Sequence, residues 1–141
     1  MSGSLTGMTP AAASILIVED DDTTRETFRV ILEEQGYCVR TAPSAEDALA
    51  DLHQHLPAAV LLDLHLPLLN GLEYLRRMRV AAPQRSVPVA VLTGDYFVDE
   101  SVSDELRSLG ATLYFKPVWE ADLRAIVTAL VQRGAEQCAG E

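Results

Sequence analysis

The chain of 141 residues has two cysteines, Cys38 and Cys138. That is too few for a disulfide framework, and their spacing suits no metal site. Two free thiols in a reducing compartment are expected. No apolar run approaches the ~18–20 residues that a membrane helix needs. The first residues, Met1 to Met8, lack the basic start and apolar stretch of a secretory leader. Together these absences predict a cytoplasmic protein with no membrane partner. Positive charge is also scarce, with 11 Lys and Arg against 21 Asp and Glu, a formal net charge of −10. A surface that acidic repels phosphate backbones, which argues against nucleic-acid binding. A basic protein partner or a bound cation stays open. Internal repeats and low-complexity segments are absent.

What is present suits one domain. Apolar residues make up 48% of the chain, and they are spread along it, enough to fill a core at this length. Residues 1–13 are small and polar and read as a flexible leader. Residues 14–131 carry the domain, and 132–141 read as a flexible tail. Within 14–131, short apolar runs alternate with amphipathic stretches. Ile15 to Val18 is an apolar run ending in acids. Thr23 to Gln35 is helical, with Phe28, Ile31 and Leu32 on one face and Gly36 as its stop. Tyr37 to Ala42 is a weaker strand, and Ser44 to His55 a helix. Ala58 to Leu62 is a buried strand ending at Asp63. Gly71 to Val80 is a helix with Leu72, Leu75 and Met78 inward. Val87 to Thr93 is a strand with Pro88 at its start. Val98 to Leu109 is a helix closed by Gly110. Thr112 to Phe115 is the last strand, and Ala121 to Val131 the last helix, with Leu123, Ile126, Val127 and Leu130 at helical spacing. Strands that read as continuous apolar runs are buried on both faces, as in a parallel sheet. Right-handed crossovers then put helices on both sides. The fold class is α/β, a doubly wound five-stranded parallel sheet.

The chemistry falls at one edge of that sheet. Glu19 and Asp20 follow the first strand, Asp63 the third, Thr93 ends the fourth and Lys116 follows the fifth. In an open parallel sheet the carboxyl edge holds the ligand crevice, at the point where strand order reverses. For the order 2-1-3-4-5 the reversal lies between strands one and three, the two that carry the carboxylates. Three converging carboxylates repel, and one would hold a proton unless a hard divalent cation joins them. Lys116 can neutralise further charge as a point cation, and Thr93 offers a hydroxyl. A carboxylate nucleophile, a metal, a lysine and a hydroxyl together suit phosphoryl transfer to an aspartate.

The runs Ile-Leu-Ile-Val-Glu19-Asp20-Asp, Val-Leu-Leu-Asp63-Leu-His-Leu-Pro67, Gly71, Val-Leu-Thr93-Gly94 and Phe-Lys116-Pro117 resemble the receiver domain of two-component response regulators, of the stand-alone chemotaxis kind. The similarity covers about residues 14–131, and the order of five separate motifs makes it specific. It implies a flavodoxin-like fold in which Asp63 accepts the phosphoryl group. It implies Mg²⁺ or Mn²⁺ held by Glu19, Asp20, Asp63 and the backbone carbonyl of His65. Thr93 and the Gly94 N–H would bind the phosphoryl oxygens, Lys116 would pair with Asp63 or its phosphoryl group, and Lys116–Pro117 would be cis. The implied donor is a sensor histidine kinase or a histidine phosphotransfer protein. The implied output is contact with a downstream protein, or a homodimer, through the face of helix four, strand five and helix five. No catalysis is implied beyond the chain's own phosphorylation and dephosphorylation.

Two features depart from the family pattern. Leu113 stands three before the lysine, where receivers commonly carry a switching aromatic, and the short Gly110-to-Lys116 spacing points to a one-residue slip of strand five, which would exchange its faces. His65 and Asp95 lie two residues after Asp63 and Thr93, at positions that in the family tune the phosphoryl lifetime. Other residues have plainer readings. Asp21 and Asp22 suit capping or solvation at a helix start, with Asp22 or Thr23 as the cap. His53 and His55 are solvated, and His65 rims the site. Trp119 packs the last helix against the sheet. Asp99, Glu100, Asp104 and Glu105 form a solvated helix face. A rival function is a pseudo-receiver, never phosphorylated, that acts as a constitutive interaction module. A hydrolase of the wider aspartyl-phosphate type needs a second Asp where His65 stands.

Overall fold

The apolar runs form strands and the amphipathic stretches form helices throughout residues 13–80, 86–95 and 97–139, which the computed structural model describes. In chain order these are β1 Ser14–Val18, α1 Asp22–Glu34, β2 Cys38–Ala42, α2 Ala45–Gln54, β3 Ala59–Asp63, α3 Gly71–Val80, β4 Val89–Thr93, α4 Glu100–Ser108, β5 Ala111–Phe115 and α5 Glu120–Ala139. The strands pair in the order β2-β1-β3-β4-β5, and every pair is parallel. This is the doubly wound sheet that the sequence implies.

Side chains alternate between the two faces of each strand, and the two faces make two apolar layers. Leu16, Val18, Val60, Leu62, Val89 and Val91 pack with Ala45, Ala48 and Leu52 of α2, Leu72, Leu75 and Met78 of α3, and Leu106 of α4. Ile15, Ile17, Leu61 and Leu92 pack with Phe28 and Leu32 of α1 and with Leu123, Ile126, Val127 and Leu130 of α5. Each fully buried side chain of this size contributes about 1.5–3 kcal/mol, so neither layer is dispensable. Three helix starts are fixed by side-chain caps. Asp21 accepts from Thr24 N (2.8 Å), Ser44 from Asp47 N (3.1 Å) and Asn70 from Glu73 N (2.9 Å). The first cap is therefore Asp21 and neither Asp22 nor Thr23. Asp22 is instead paired with Arg25 at 2.5 Å.

The structure departs from the sequence reading at four more places. Helix α4 begins at Glu100, two residues after Val98. Helix α5 continues past Val131 to Ala139, so most of the segment expected to be a flexible tail is helical. Gly134 lies within it, close to Pro88: a Cβ there would stand 3.2 Å from Pro88 Cγ. That glycine marks a close approach and not a helix end. Strand β5 does not slip. Val91 pairs with Leu113 and Thr93 with Phe115, so Leu113 shares the Thr93 face and packs in the α2–α4 layer, while Tyr114 packs in the other. Trp119 is 69% exposed, because Leu123, Ile126 and Leu130 already fill the contact between α5 and the sheet. The leader reading falls on residues 1–12, outside the described residues, as does the side chain of His53. Among the described residues, no helix is long and apolar enough to cross a membrane.

Candidate functional site

The backbone fixes each candidate residue at the carboxyl edge of the sheet. Glu19 N donates to Ala42 O (3.1 Å), carrying the β1–β2 ladder one residue further, and Lys116 N donates to Thr93 O (2.7 Å), doing the same for β4–β5. Asp63 closes β3, and Leu64 N bonds Leu92 O (3.0 Å) just beyond it. Helix α3 then starts hard against this backbone. Gly71 N donates to Leu64 O (3.0 Å), and a Cβ at Gly71 would fall 2.5 Å from Asp63 O and 3.0 Å from Leu64 Cα. Only a glycine permits that approach.

Glu19, Asp20 and Asp63 each bring a carboxylate oxygen to within 4.8 Å of the other two. Glu19 and Asp63 are buried, and Asp20 is exposed. Lys116 Nζ lies 2.8 Å from Glu19 Oε1 and 3.7 Å from Asp63 Oδ2. The second Glu19 oxygen accepts from Asp21 N (3.1 Å), and the Glu19 carbonyl accepts from Arg25 Nη1 (2.8 Å). Asp63 Oδ1 accepts from His65 N (3.2 Å). Burial first, and the Glu19 charge second, push the Asp63 pKa up to about 6, with the Lys116 ammonium and the His65 N–H offsetting only part of the rise. Burial works against the Lys116 ammonium, but the Glu19 hydrogen bond and the charges of Asp63, Glu19 and Asp20 outweigh it and hold its pKa above the ordinary value. The Asp63 carboxyl therefore holds its proton more tightly than a free aspartate, through burial first and the Glu19 charge second.

Of the candidates read from the sequence, Glu19, Asp20, Asp63 and Lys116 meet in one pocket. The lysine makes its shorter bond to Glu19, not to Asp63. Thr93 is fully buried, and its hydroxyl accepts from Asp95 N (3.1 Å). Gly94 is exposed, and a Cβ there would meet nothing within 4 Å. The His65 ring is exposed, with Nε2 at 2.6 Å from Asp95 Oδ2. That pair joins the loops after β3 and β4 above a hollow of about 280 Å³ that also reaches Asn70, Leu72 and Phe97. Sequence reasoning missed Arg25, which clamps the Glu19 carbonyl. The three-residue spacing from Asp22 signals the Arg25–Asp22 ion pair but not the bond to the Glu19 carbonyl.

The donor set is all oxygen, with two buried acids and one open to solvent. That is the chemistry of a hard divalent cation such as Mg²⁺ or Mn²⁺. The cluster also sets the Asp63 carboxylate 3.7 Å from a lysine ammonium.

Comparison with known proteins agrees with the fold. The sequence profile of the response regulator receiver domain matches residues 15–128. An uncharacterised 14.6 kDa protein of Leptolyngbya boryana is 34% identical over 84% of this chain and 90% of its own length. The transcriptional regulatory protein AfsQ1 of Streptomyces coelicolor is 35% identical over 88% of this chain, which spans 53% of that longer relative. The solved CheY-like receiver domain protein of Methanospirillum hungatei superposes with a TM-score of 0.82 at 27% identity, over 89% of this chain and 98% of its own.

Proposed function

Because the chain belongs to the response regulator receiver family, we propose that it is a cytoplasmic, phosphorylation-dependent signalling switch. Asp63 accepts a phosphoryl group from a sensor histidine kinase or a histidine phosphotransfer protein. The observation that carries this reading is the meeting of Glu19, Asp20 and Asp63 within 4.8 Å, with Lys116 Nζ 3.7 Å from the Asp63 carboxylate. Glu19, Asp20, Asp63 and the backbone carbonyl of His65 would hold Mg²⁺ or Mn²⁺. When bound, the cation screens the negative charge gathering on the phosphoryl oxygens.

The chain's own residues do the rest. An Asp63 oxygen attacks phosphorus in line, a P–O bond forms as the P–N bond of the phosphohistidine breaks, and the departing imidazole nitrogen keeps the bonding pair and takes up a proton. Lys116 turns from Glu19 to a phosphoryl oxygen, which its flexible stem allows. The Thr93 hydroxyl trades the Asp95 N–H for a second phosphoryl oxygen, beside the Gly94 N–H. That exchange pulls on β4 and on the loop that leads to α4. A pre-existing equilibrium between two surfaces shifts. The output is protein–protein contact, including a homodimer, through the face of α4, β5 and α5.

Intact mass after incubation with acetyl phosphate and Mg²⁺ tests the proposal. The wild-type chain gains one phosphoryl mass, Asp63→Ala gains none, and EDTA abolishes the gain. Absence of added mass on the wild type, or equal addition to Asp63→Ala, would favour a constitutive interaction module instead.

A further inference from the structure

Arg25 reaches beyond what its own helix asks of it. From the first turn of α1 its Nη1 donates back to the Glu19 carbonyl at 2.8 Å, while Nη2 holds Asp22 Oδ1 at 2.5 Å. The side chain is 19% exposed. Arg29, one turn further on, shows the ordinary alternative. It pairs with Glu26 and Glu33 of the same helix on the surface, an arrangement worth little to the fold. The planar fork of Arg25 instead divides between a helical partner and the backbone of the loop that carries two of the three clustered acids.

The hydrogen bonds of that loop say what the reach does. Glu19 is tied at every polar group: its N–H to Ala42 O, its carboxylate to Lys116 Nζ and Asp21 N, its carbonyl to Arg25. Asp21 caps α1 through Thr24 N. Asp20, between them, is exposed, and its carboxylate has no hydrogen bond of its own among the described residues. Its direction therefore follows the backbone. The Glu19 carbonyl and the Asp20 N–H share one rigid peptide plane. A guanidinium that pins the carbonyl thus fixes the plane from which the Asp20 side chain leaves. An oxygen of that side chain lies within 4.8 Å of its counterparts on Glu19 and Asp63. Charge alone gives Arg25 the opposite effect, because a positive group beside the loop repels an incoming cation. Geometry and Coulomb interaction therefore predict opposite signs for its removal.

We infer that Arg25 is a positioning residue for the divalent cation, acting through the Glu19–Asp20 peptide to set the Asp20 carboxylate beside Glu19 and Asp63. The inference rests on the receiver reading above. Mn²⁺ binding to the unphosphorylated chain tests it, followed by electron paramagnetic resonance of the free ion well below the thermal midpoint. Arg25→Met is expected to weaken Mn²⁺ binding about tenfold, the scale of a lost outer-shell partner. Arg29→Met removes the same charge from the same helix and stays within about twofold of wild type. Arg25→Lys keeps the charge and one donor and stays within about threefold. The Mg²⁺ concentration that half-saturates phosphoryl gain from acetyl phosphate rises with the Mn²⁺ dissociation constant, and saturating Mg²⁺ restores the rate. Where Arg25→Met fails to fold, Arg25→Gln, a good helix former without the reach, gives the same reading. Mn²⁺ binding to Arg25→Met as tight as wild type or tighter overturns the inference, even if its thermal midpoint falls, and leaves the receiver reading standing. An equal loss in Arg29→Met overturns it too, since Arg29 does not touch the loop. A wild-type chain that neither binds Mn²⁺ nor gains phosphoryl mass overturns the receiver reading and the inference with it.

Discussion

Burial and the neighbouring Glu19 carboxylate hold the Asp63 pKa up to about 6, and the sign of that shift fixes how folding responds to pH. Below about pH 4 the carboxyl is protonated in both the folded and the unfolded chain. Between about 4 and 6 the unfolded chain releases this proton while the folded chain keeps it, so stability falls as pH rises through that window. Above it the full penalty remains, about 1–3 kcal/mol. Asp63→Asn removes the charge and keeps the shape. It is expected to be more stable than wild type by about that amount at pH 7.5 in the absence of divalent cation, with the difference gone by about pH 4. Urea denaturation at the two pH values measures this. Equal stability at pH 7.5 would mean that Lys116 already compensates the charge. Lys116 spends its shorter bond on Glu19, 2.8 Å against 3.7 Å, which is why that compensation is incomplete.

At the scale of elements, α4 is held from one end. Its C-terminal turn is tied to α3 by Arg79 Nε on the Leu109 carbonyl (2.7 Å) and by Arg76 on Glu105 (2.5 and 2.7 Å). At the other end Asp99 makes no side-chain cap bond. Arg79 is partly buried and satisfies a helix-end carbonyl, whereas the Arg76 side chain is 47% exposed. Arg79→Met is expected to cost about 1–2 kcal/mol by leaving that carbonyl unpaired, and Arg76→Met under about 1 kcal/mol, as for surface pairs. Urea midpoints rank the two, and the reverse order would remove Arg79 from its anchoring role. Elements of this kind were legible in the sequence where apolar periodicity was strong. The strands ending at Val18, Asp63 and Thr93 fall where their apolar runs stop, and Glu19, Asp20, Asp63 and Lys116 meet because those runs end on one edge. The reading failed where one residue type has two uses. The apolar spacing of the last helix stops at Val131, but Gly134 permits close contact with Pro88 and α5 runs on to Ala139. Trp119 has the bulk of a core residue but follows Lys116-Pro117 onto the surface. Polar partner choice was not legible at all. The Glu19–Lys116 bond and the Arg25 clamp depend on side-chain reach across elements, which no local pattern encodes.

Over the whole molecule, a net charge of −10 adds diffuse self-repulsion to the local crowding of Glu19, Asp20 and Asp63. The two respond differently to ions. Monovalent salt screens the diffuse part, with a Debye length of about 8 Å at physiological strength, but does little for buried Glu19 and Asp63, which stand closer together than that. A divalent cation that binds the folded pocket and not the unfolded chain stabilises by mass action, by about 1–3 kcal/mol when it exceeds its dissociation constant ten- to a hundredfold. For a domain of this size that raises the thermal midpoint by roughly 4–12 °C. At pH 7.5 Mg²⁺ is expected to produce this rise beyond the effect of NaCl at equal ionic strength. Below about pH 6 the cation must displace the proton on Asp63, so the Mg²⁺-specific part shrinks as pH falls. Asp20→Asn removes the exposed oxygen donor and leaves the two apolar layers intact, so it loses the Mg²⁺-specific part and keeps the response to NaCl. A midpoint that moves equally with Mg²⁺ and with matched NaCl would reduce the acidic edge to a screened surface, and the three carboxylates would then need another explanation for their convergence.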